Sequence, residues 1–369
     1  MARYLITGAS GFVGSNLIRK LIDDNNELTI LIREDSDLWR INDLVPKNQT
    51  FKTDLSNYEK LEKIISDIDP DFVYHLGTYG GYPFQTSIQK ITQVNILNTI
   101  NLFESLSKCD NLKLIINFGS SSEYGSKSTP MNENDEAVSV TPYGISKLTQ
   151  TKFAKFYNQN MNLPIVTLRL FSVFGPFEEP GRLIFDIMTS IIKGKTIELS
   201  SPFPRRDFVY VSDVIEAIET ITTAKNIVGD IFNIGSGVMH SVEDVVNIAL
   251  EIAKSDNRIS WEVKQKRVFD DMTPWVSDTE KTKKILKIMN SKPKVIILQY
   301  TFNNDFLGDY LYSEFRVENN MLTTNNYLLS LKTGEIVSKR KEKNIFYVII
   351  DYQNHIEHLQ FYLCIKIII

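Results

Sequence analysis

Residues 3–22 read Arg3-Tyr4-Leu5-Ile6-Thr7-Gly8-Ala9-Ser10-Gly11-Phe12-Val13-Gly14-Ser15-Asn16-Leu17-Ile18-Arg19-Lys20-Leu21-Ile22. This stretch decides the fold. Tyr4-Leu5-Ile6 is a strand-length apolar run that ends in glycines. Leu17, Ile18, Leu21 and Ile22 then recur at helical spacing. Glycines at 8, 11 and 14 allow a tight turn whose N–H groups can approach a pyrophosphate closely. That pyrophosphate would sit at the positive end of the helix dipole. Gly8, Ser10, Gly11, Phe12, Val13 and Gly14 are therefore candidate cofactor residues. The plain alternative is a merely tight βα turn. A strand before it and a helix after it favour a dinucleotide.

Working outward, the same alternation continues. Leu28–Ile32, Phe72–Leu76 and Leu114–Ile116 are β-like runs. Tyr58–Ile65 and the long pattern through Ile91, Val94, Leu97, Leu102 and Leu106 are helical. Strands alternating with helices predict an α/β fold, a doubly wound parallel sheet covered on both faces. The end of the second strand bears on the choice of dinucleotide. An acid there would take a ribose hydroxyl, as in NAD binders, and this chain has Arg33 followed by Glu34 and Asp35. A guanidinium suits a 2′-phosphate, which favours NADP over NAD. Alternatively Arg33 is solvated and one of its acidic neighbours binds the ribose. Asp54-Leu55 follows a short extended stretch. Asp54 can accept from an adenine amino group or cap the helix before Tyr58.

Composition bounds the rest. The chain has 369 residues, 43% hydrophobic and 23% charged, and a net charge of −4. These values suit a globular enzyme and give no basic excess for a nucleic-acid partner. Two cysteines exclude a disulfide framework and a cysteine-based zinc site, and no H-E-x-x-H occurs, so no metal is expected. No apolar run reaches the ~18–20 residues of a membrane span. The N-terminus meets a glycine too early for a signal peptide. The expectation is a cytoplasmic protein with no membrane partner.

Three segments are predicted: a dinucleotide-binding domain over 1–170, a smaller α/β substrate domain over 171–292, and an atypical tail over 293–369. Some strands of the second segment are expected to return to the first sheet. Ser241 with Asp244 starts a helix in capping-box fashion. Pro293 is the last proline and only Gly308 and Gly334 follow it. The tail reads either as an extra β-rich module or as a shifted reading frame that is poorly ordered, and the second is favoured.

Tyr143-Gly144-Ile145-Ser146-Lys147 is a Y-x-x-x-K. On a helix, i and i+4 share a face, so ammonium and phenol lie close. A nearby cation favours the phenolate and makes tyrosine a usable acid/base. Taken alone, the spacing fits an ordinary surface pair. Upstream, Gly119-Ser120-Ser121-Ser122-Glu123-Tyr124-Gly125 follows a strand and places hydroxyls at the carboxyl edge of the sheet, where ligands bind in such folds.

With these residues in hand, the chain from residue 1 to about 290 resembles the extended short-chain dehydrogenase/reductases, in particular the nucleotide-sugar epimerase/dehydratase family. The likeness rests on T-G-A-S-G-F-V-G at Thr7, Asp54-Leu55, H-L-G-T at His75, Asn95, S-S-S-E at Ser120, Y-G-I-S-K at Tyr143, R-L-F-S-V-F-G-P at Arg169 and R-R-D-F-V-Y-V-S-D-V at Arg205. The resemblance implies a Rossmann-type sheet that binds NAD or NADP, a nucleoside-diphosphate sugar substrate and hydride chemistry at sugar C4. It implies Tyr143 as the acid/base, Lys147 as its partner and nicotinamide-ribose ligand, and Ser121 as the residue bonded to the reacting hydroxyl. Leu55 and Leu76 join the cofactor residues. Arg206 and Arg267 would grip the diphosphate, with Ser122, Tyr79 and Ser172 at the sugar. A homodimer built from the helices at Ile91–Leu106 and Tyr143–Tyr157 is implied as well.

The chain departs from the family pattern in several places. Ser172 replaces the usual Asn, Gly77-Thr78 replaces Ala-Ala, and Phe269 replaces a glycine. The run Thr78–Pro83 is rich in glycine and tyrosine, and reads as a wall of the sugar pocket or as a flexible loop. An epimerase or dehydratase is the first reading; Glu123 offers the carboxylate a 4,6-dehydratase would need, but Ser-Glu here also resembles the family's sugar-acid decarboxylases and many ordinary epimerases and does not discriminate. An NADPH-dependent 4-keto sugar reductase is the alternative. A non-catalytic NAD(P) sensor is a third, against which the intact Ser121, Tyr143 and Lys147 argue.

Overall fold

The computed structural model describes residues 2–23, 26–42, 44, 49–253, 255–264 and 275–286, and strand backbone between 295 and 365. The chain begins with β1 (Arg3–Thr7), α1 (Phe12–Asp23), β2 (Glu27–Ile32), β3 (Thr50–Lys52), α2 (Tyr58–Ile68) and β4 (Phe72–His75). The long helical pattern comes next in three parts: α3 (Ile88–Thr92), a π-helical turn Gln93–Leu97, and α4 (Asn98–Leu106). Then come β5 (Leu114–Ser120), a 3-10 turn Ser121–Glu123, α5 (Pro142–Met161), β6 (Ile165–Leu170) and β7 (Ser172–Phe174). The remainder of this part is α6 (Leu183–Ile192), β8 (Ile197–Glu198), β9 (Arg205–Tyr210), α7 (Val211–Thr223), β10 (Ile231–Ile234), β11 (Met239–Ser241), α8 (Val242–Ala253), β12 (Ile259–Ser260) and α9 (Glu280–Leu286).

Seven strands make one parallel sheet in the order β10-β6-β5-β4-β1-β2-β3. Every residue of β5 is buried, as expected of a strand covered on both faces. Leu5, Leu61, Ile65, Val73, Phe103 and Ile115 belong to a core cluster of this sheet and its helices. The chain runs from β1 outward to β2 and β3, then crosses to β4 and onward to β5 and β6. Strand order therefore reverses between β1 and β4, and the loops leaving these strands part there. This is the place where open parallel sheets receive ligands. The glycine turn leaves β1, the His75-Leu76-Gly77 run leaves β4, and the serine turn leaves β5.

The chain divides into two compact units. The first holds Met1–Phe177, Pro204–His240 and Arg267–Met289, and the second Glu178–Phe203, Ser241–Lys266 and Asn290–Ile369. The first unit thus runs on to Phe177, and residues 204–240 rejoin it and supply β10 to its sheet. In the first unit β9 also pairs in parallel with β7, Ser172 opposite Phe208. In the second, α6 and α8 bury Ile187, Met188, Ile191, Val245 and Val246, and β8 pairs with β12. The Ser241 hydroxyl accepts from the Asp244 N–H at 3.0 Å, and the Asp244 carboxylate accepts from the Ser241 N–H at 2.8 Å. That reciprocal pair starts α8 in the way the sequence predicts.

Beyond residue 294 the backbone forms β13 (Val295–Thr301), β14 (Tyr310–Glu318), β15 (Met321–Thr323), β16 (Ser338–Glu342), β17 (Ile345–Ile349) and β18 (Gln360–Ile365). Four of these make an antiparallel sheet in the order β15-β14-β13-β18, and β16 pairs with β17. Among the described residues no helix is long and apolar enough to cross a membrane. On the helices that the resemblance assigns to a dimer contact, Leu97, Ile145 and Phe156 stand exposed.

Candidate active site

The turn after β1 is closed around its glycines. Gly8 has φ +70°, and a Cβ there would lie 2.6 Å from the backbone of Leu76 and Gly77. A Cβ on Gly14 would stand 2.3 Å from the Gly8 carbonyl oxygen. The Gly11 N–H donates to that same oxygen at 3.0 Å, and the Ser15 N–H donates to Gly11 at 2.9 Å. Side chains at 8 or 14 would collide with neighbouring backbone, so the turn closes this tightly only with glycine, and a tight turn at the start of α1 fits a dinucleotide pyrophosphate. Phe12 is buried behind the turn, and the Ser10 carbonyl accepts from Arg40 at 3.3 Å. The Leu76 N–H donates to the Thr7 carbonyl at 3.1 Å, tying the turns after β1 and β4 together. Between them His75 is bonded to the Thr7 and Thr99 hydroxyls, at 2.7 and 2.8 Å. Burial, helped by the charge of Lys147, drives the His75 pKa down to about 3, so the ring is neutral.

At the end of β2 the Arg33 guanidinium is bound to Asp35 at 2.9 Å, and Glu34 lies 3.6 Å from Lys52. The cap of α2 is Asn57, which accepts from the Lys60 N–H, so Asp54 is released from that duty. Burial works to raise the Asp54 pKa. Hydrogen bonds from Ser56 and Asn98 and the charge of Arg33 outweigh it and hold the group below its usual value. Asp54 is thus an anionic acceptor fixed by its neighbours. Leu55 packs against the core cluster.

The hydroxyl cluster is brought to the start of α5 by close backbone packing. Thr141 caps that helix by accepting from the Gly144 N–H at 3.0 Å, and Pro142 occupies its first turn. A Cβ on Gly144 would stand 2.3 Å from the Ser122 carbonyl oxygen, and the Ser139 hydroxyl donates to that oxygen at 2.8 Å. Only glycine at 144 lets the first turn of α5, with Tyr143, settle against Ser121 and Ser122. Lys147 follows one turn later and is buried. Its ammonium donates to Gln150 at 2.5 Å, and Gln150 donates to Asn117 at 2.6 Å. Burial lowers the Lys147 pKa to about 8, against an upward pull from Glu123.

Glu123 is offered by the sequence as a carboxylate for a dehydratase. It is fully buried. Its Oε1 accepts from the Ser120 N–H at 2.8 Å, and its Oε2 accepts from Arg169 Nε at 2.8 Å. Burial alone would lower the Arg169 pKa, but Glu123 and Tyr124 outweigh it and raise it. The carboxylate expected to work on the sugar is instead engaged within the protein, where it fixes the 3-10 turn that carries Ser121.

Asn95 was quoted only for its family match, and its position explains it. The π-helical turn interrupts the long helix at this residue, which is fully buried. Its side chain donates to the Tyr79 carbonyl at 2.7 Å and to the Ser146 hydroxyl at 2.9 Å, and accepts from the Tyr79 N–H at 2.8 Å. These bonds hold the loop after β4 to α5. Gly80, at φ +101°, lies so close to the Tyr143 ring that a Cβ would be 3.2 Å from it. The glycine- and tyrosine-rich run thus approaches the Tyr143 ring at Gly80. Tyr79 meets Lys90, whose ammonium is 4.8 Å from the ring centroid.

The sequence reading gave no role to two further residues. Asp207, beside Arg206, is fully buried and accepts from the N–H groups of Ser236, Gly237 and Ser277. It ties β9 to the segment beginning at Trp275. The Trp275 indole N–H donates to the Ser121 Oγ at 2.9 Å, and the Arg206 guanidinium lies 5.5 Å from its ring centroid. Trp275 follows Pro274 in a stretch with no apolar periodicity, so nothing local marks it. Ser172 is half-buried on β7. Arg267 and Phe269 lie outside the described residues. Among those described, no group of three acidic, histidine or cysteine side chains is placed to hold a metal.

Comparison with known proteins bears on the family. A model of the NAD dependent epimerase/dehydratase family matches residues 4–235. A putative UDP-glucose 4-epimerase of Methanocaldococcus jannaschii is 30% identical over 254 residues, covering 66% of this chain and 80% of that protein. A dTDP-D-glucose 4,6-dehydratase of Dictyostelium discoideum is 28% identical over 274 residues, covering 68% and 62%. Among solved structures, UDP-glucuronic acid 4-epimerase from Bacillus cereus, in complex with UDP-glucuronic acid and NAD, superposes with a TM-score of 0.70 at 26% identity. It covers 79% of this chain and 94% of its own. The chain belongs to the NAD dependent epimerase/dehydratase family.

Removing one partner of a buried ion pair leaves the other charge uncompensated, at a cost of about 3–5 kcal/mol. Glu123→Ala is expected to lose that much stability in urea unfolding, and Arg169→Met in the Glu123→Ala background to recover part of it. A loss no larger than that of an exposed pair would contradict the structural role given to Glu123.

Proposed function

We propose that this protein epimerises a nucleoside-diphosphate hexose at C4 through a 4-keto sugar. Tyr143 takes the proton of the C4 hydroxyl and later returns it. Ser121 hydrogen-bonds the same oxygen, and the Lys147 ammonium favours the phenolate while it is charged, below about pH 8. A dinucleotide held by its pyrophosphate at the glycine turn would supply, through its nicotinamide, the acceptor and donor of the C4 hydride. The keto sugar turns over between the two transfers, so the hydride would return to the opposite face of C4 while Tyr143 returns the proton to the C4 oxygen. Arg206 is the diphosphate ligand in this reading, and the family resemblance implies Arg267 as a second.

The observation that carries the choice of epimerase is the burial of Glu123. A 4,6-dehydratase needs a further acid/base to remove the C5 proton and expel the C6 hydroxyl. The residue best placed in sequence to supply it is instead bonded to Arg169 and Ser120. Relatives named as 4-epimerases support a UDP-hexose as substrate. Arg33 supports a second reading, a 4-keto reductase using NADPH, because a cation at the end of β2 suits a 2′-phosphate.

Incubation with UDP-glucose or UDP-glucuronic acid and NAD, followed by NMR of the sugar, should yield the C4 epimer without net NADH. Tyr143→Phe should lower turnover by about 100-fold or more. Loss of the C6 hydroxyl would contradict the epimerase reading, and NADPH consumption with a 4-keto sugar alone would favour the reductase. Titration of both cofactors tests Arg33. Arg33→Ala should cost NADPH about 1.5–3 kcal/mol and leave NADH unchanged. Equal losses would remove the case for NADP.

A further inference from the structure

We infer that Trp275 is a positioning residue for Ser121: its indole N–H, donated to Oγ, turns the serine's own proton toward the reacting sugar oxygen. The inference rests on the reading that Ser121 bonds the C4 oxygen. An indole N–H can only donate, so at this bond Ser121 must accept. The serine proton is then directed to another acceptor. A hydroxyl that accepts a hydrogen bond also becomes a better donor. Trp275 therefore biases Ser121 toward donation, the role that stabilises negative charge on the oxygen leaving its proton to Tyr143.

Trp275 is itself held in place. It packs against the buried cluster of Tyr124, Met131 and Phe171. Two residues on, Ser277 is fixed to Asp207 through its N–H at 3.0 Å and through its hydroxyl. The Met131 N–H donates to the Val276 carbonyl at 2.8 Å. The same indole meets the Arg206 guanidinium on its ring. One side chain thus touches both the serine of the reaction and the arginine assigned to the diphosphate. The two contacts use different parts of the indole, the N–H edge and the π face, so substitution can separate them.

Trp275→Phe keeps an aromatic face and removes the N–H. It should lower kcat about three- to tenfold, the range for one neutral hydrogen bond, with KM unchanged. Trp275→Leu removes both contacts and should raise KM as well. In a Ser121→Ala background Trp275→Phe should have no further effect on kcat. The assay is C4 epimerisation of UDP-glucuronic acid with NAD. A second measurement needs no turnover. The protein has three tryptophans, and the indole NMR signal lost in Trp275→Phe should shift in Ser121→Ala. Equal kcat losses for Trp275→Phe in both backgrounds, or an unmoved indole signal, would overturn the inference. Full activity in Ser121→Ala would overturn the reading of Ser121 and this inference with it. In that case the indole shift still shows whether the bond exists, which separates the two failures.

Discussion

The buried pair between Glu123 and Arg169 is the constraint on which the site depends. Glu123 leaves the end of β5 and Arg169 lies on β6, directly opposite Gly119. A Cβ at 119 would stand 2.4 Å from the Glu123 carboxylate, so glycine leaves room for it. The pair costs desolvation on both sides, and its value lies in geometry more than in stability. It fixes the direction in which the serine turn leaves the sheet. The same carboxylate raises the Lys147 pKa against burial, so the ammonium remains available below about pH 8. Hydroxyl placement and cation charge are thus set by one buried group that need not touch the substrate.

Around that pair the first unit brings three loops to one edge of the sheet. The glycine turn is held to the loop after β4 through Thr7 and His75. That loop is held to α5 through Asn95, and α5 is held to the serine turn through Gly144 and Ser139. Each link is a close backbone approach or a fully paired buried polar group, which is how such a network becomes rigid. Trp275 extends the chain of contacts to Arg206. The alignment of Ser121 therefore depends on residues far apart in sequence.

Much of this was legible in the residues themselves. The glycine spacing after Tyr4-Leu5-Ile6 gave the βα turn, and the alternation of apolar runs gave the parallel sheet, because both signals are local. The Y-x-x-x-K spacing placed Lys147 one turn below Tyr143. The direction in which Glu123 faces was not legible. Two residues after Ser121 a carboxylate can face the ligand or the sheet, and only Arg169, 46 positions away, decides between them. Trp275 and Asp207 act through contacts with sequence separations of 154 and 70. The π-helical turn at Asn95 follows the same apolar pattern as an α-helix, so periodicity alone reads the stretch as continuous.

The central claim is that the C4 hydrogen leaves and returns within one bound complex, on opposite faces of the sugar. The most direct measurement uses UDP-glucuronic acid carrying deuterium at C4, incubated with the NAD-loaded protein in ordinary water. Mass spectrometry and NMR then locate the label in the recovered epimer. The account predicts that deuterium stays at C4 with inverted configuration. Loss of the label to water, or inversion at another carbon, would contradict it.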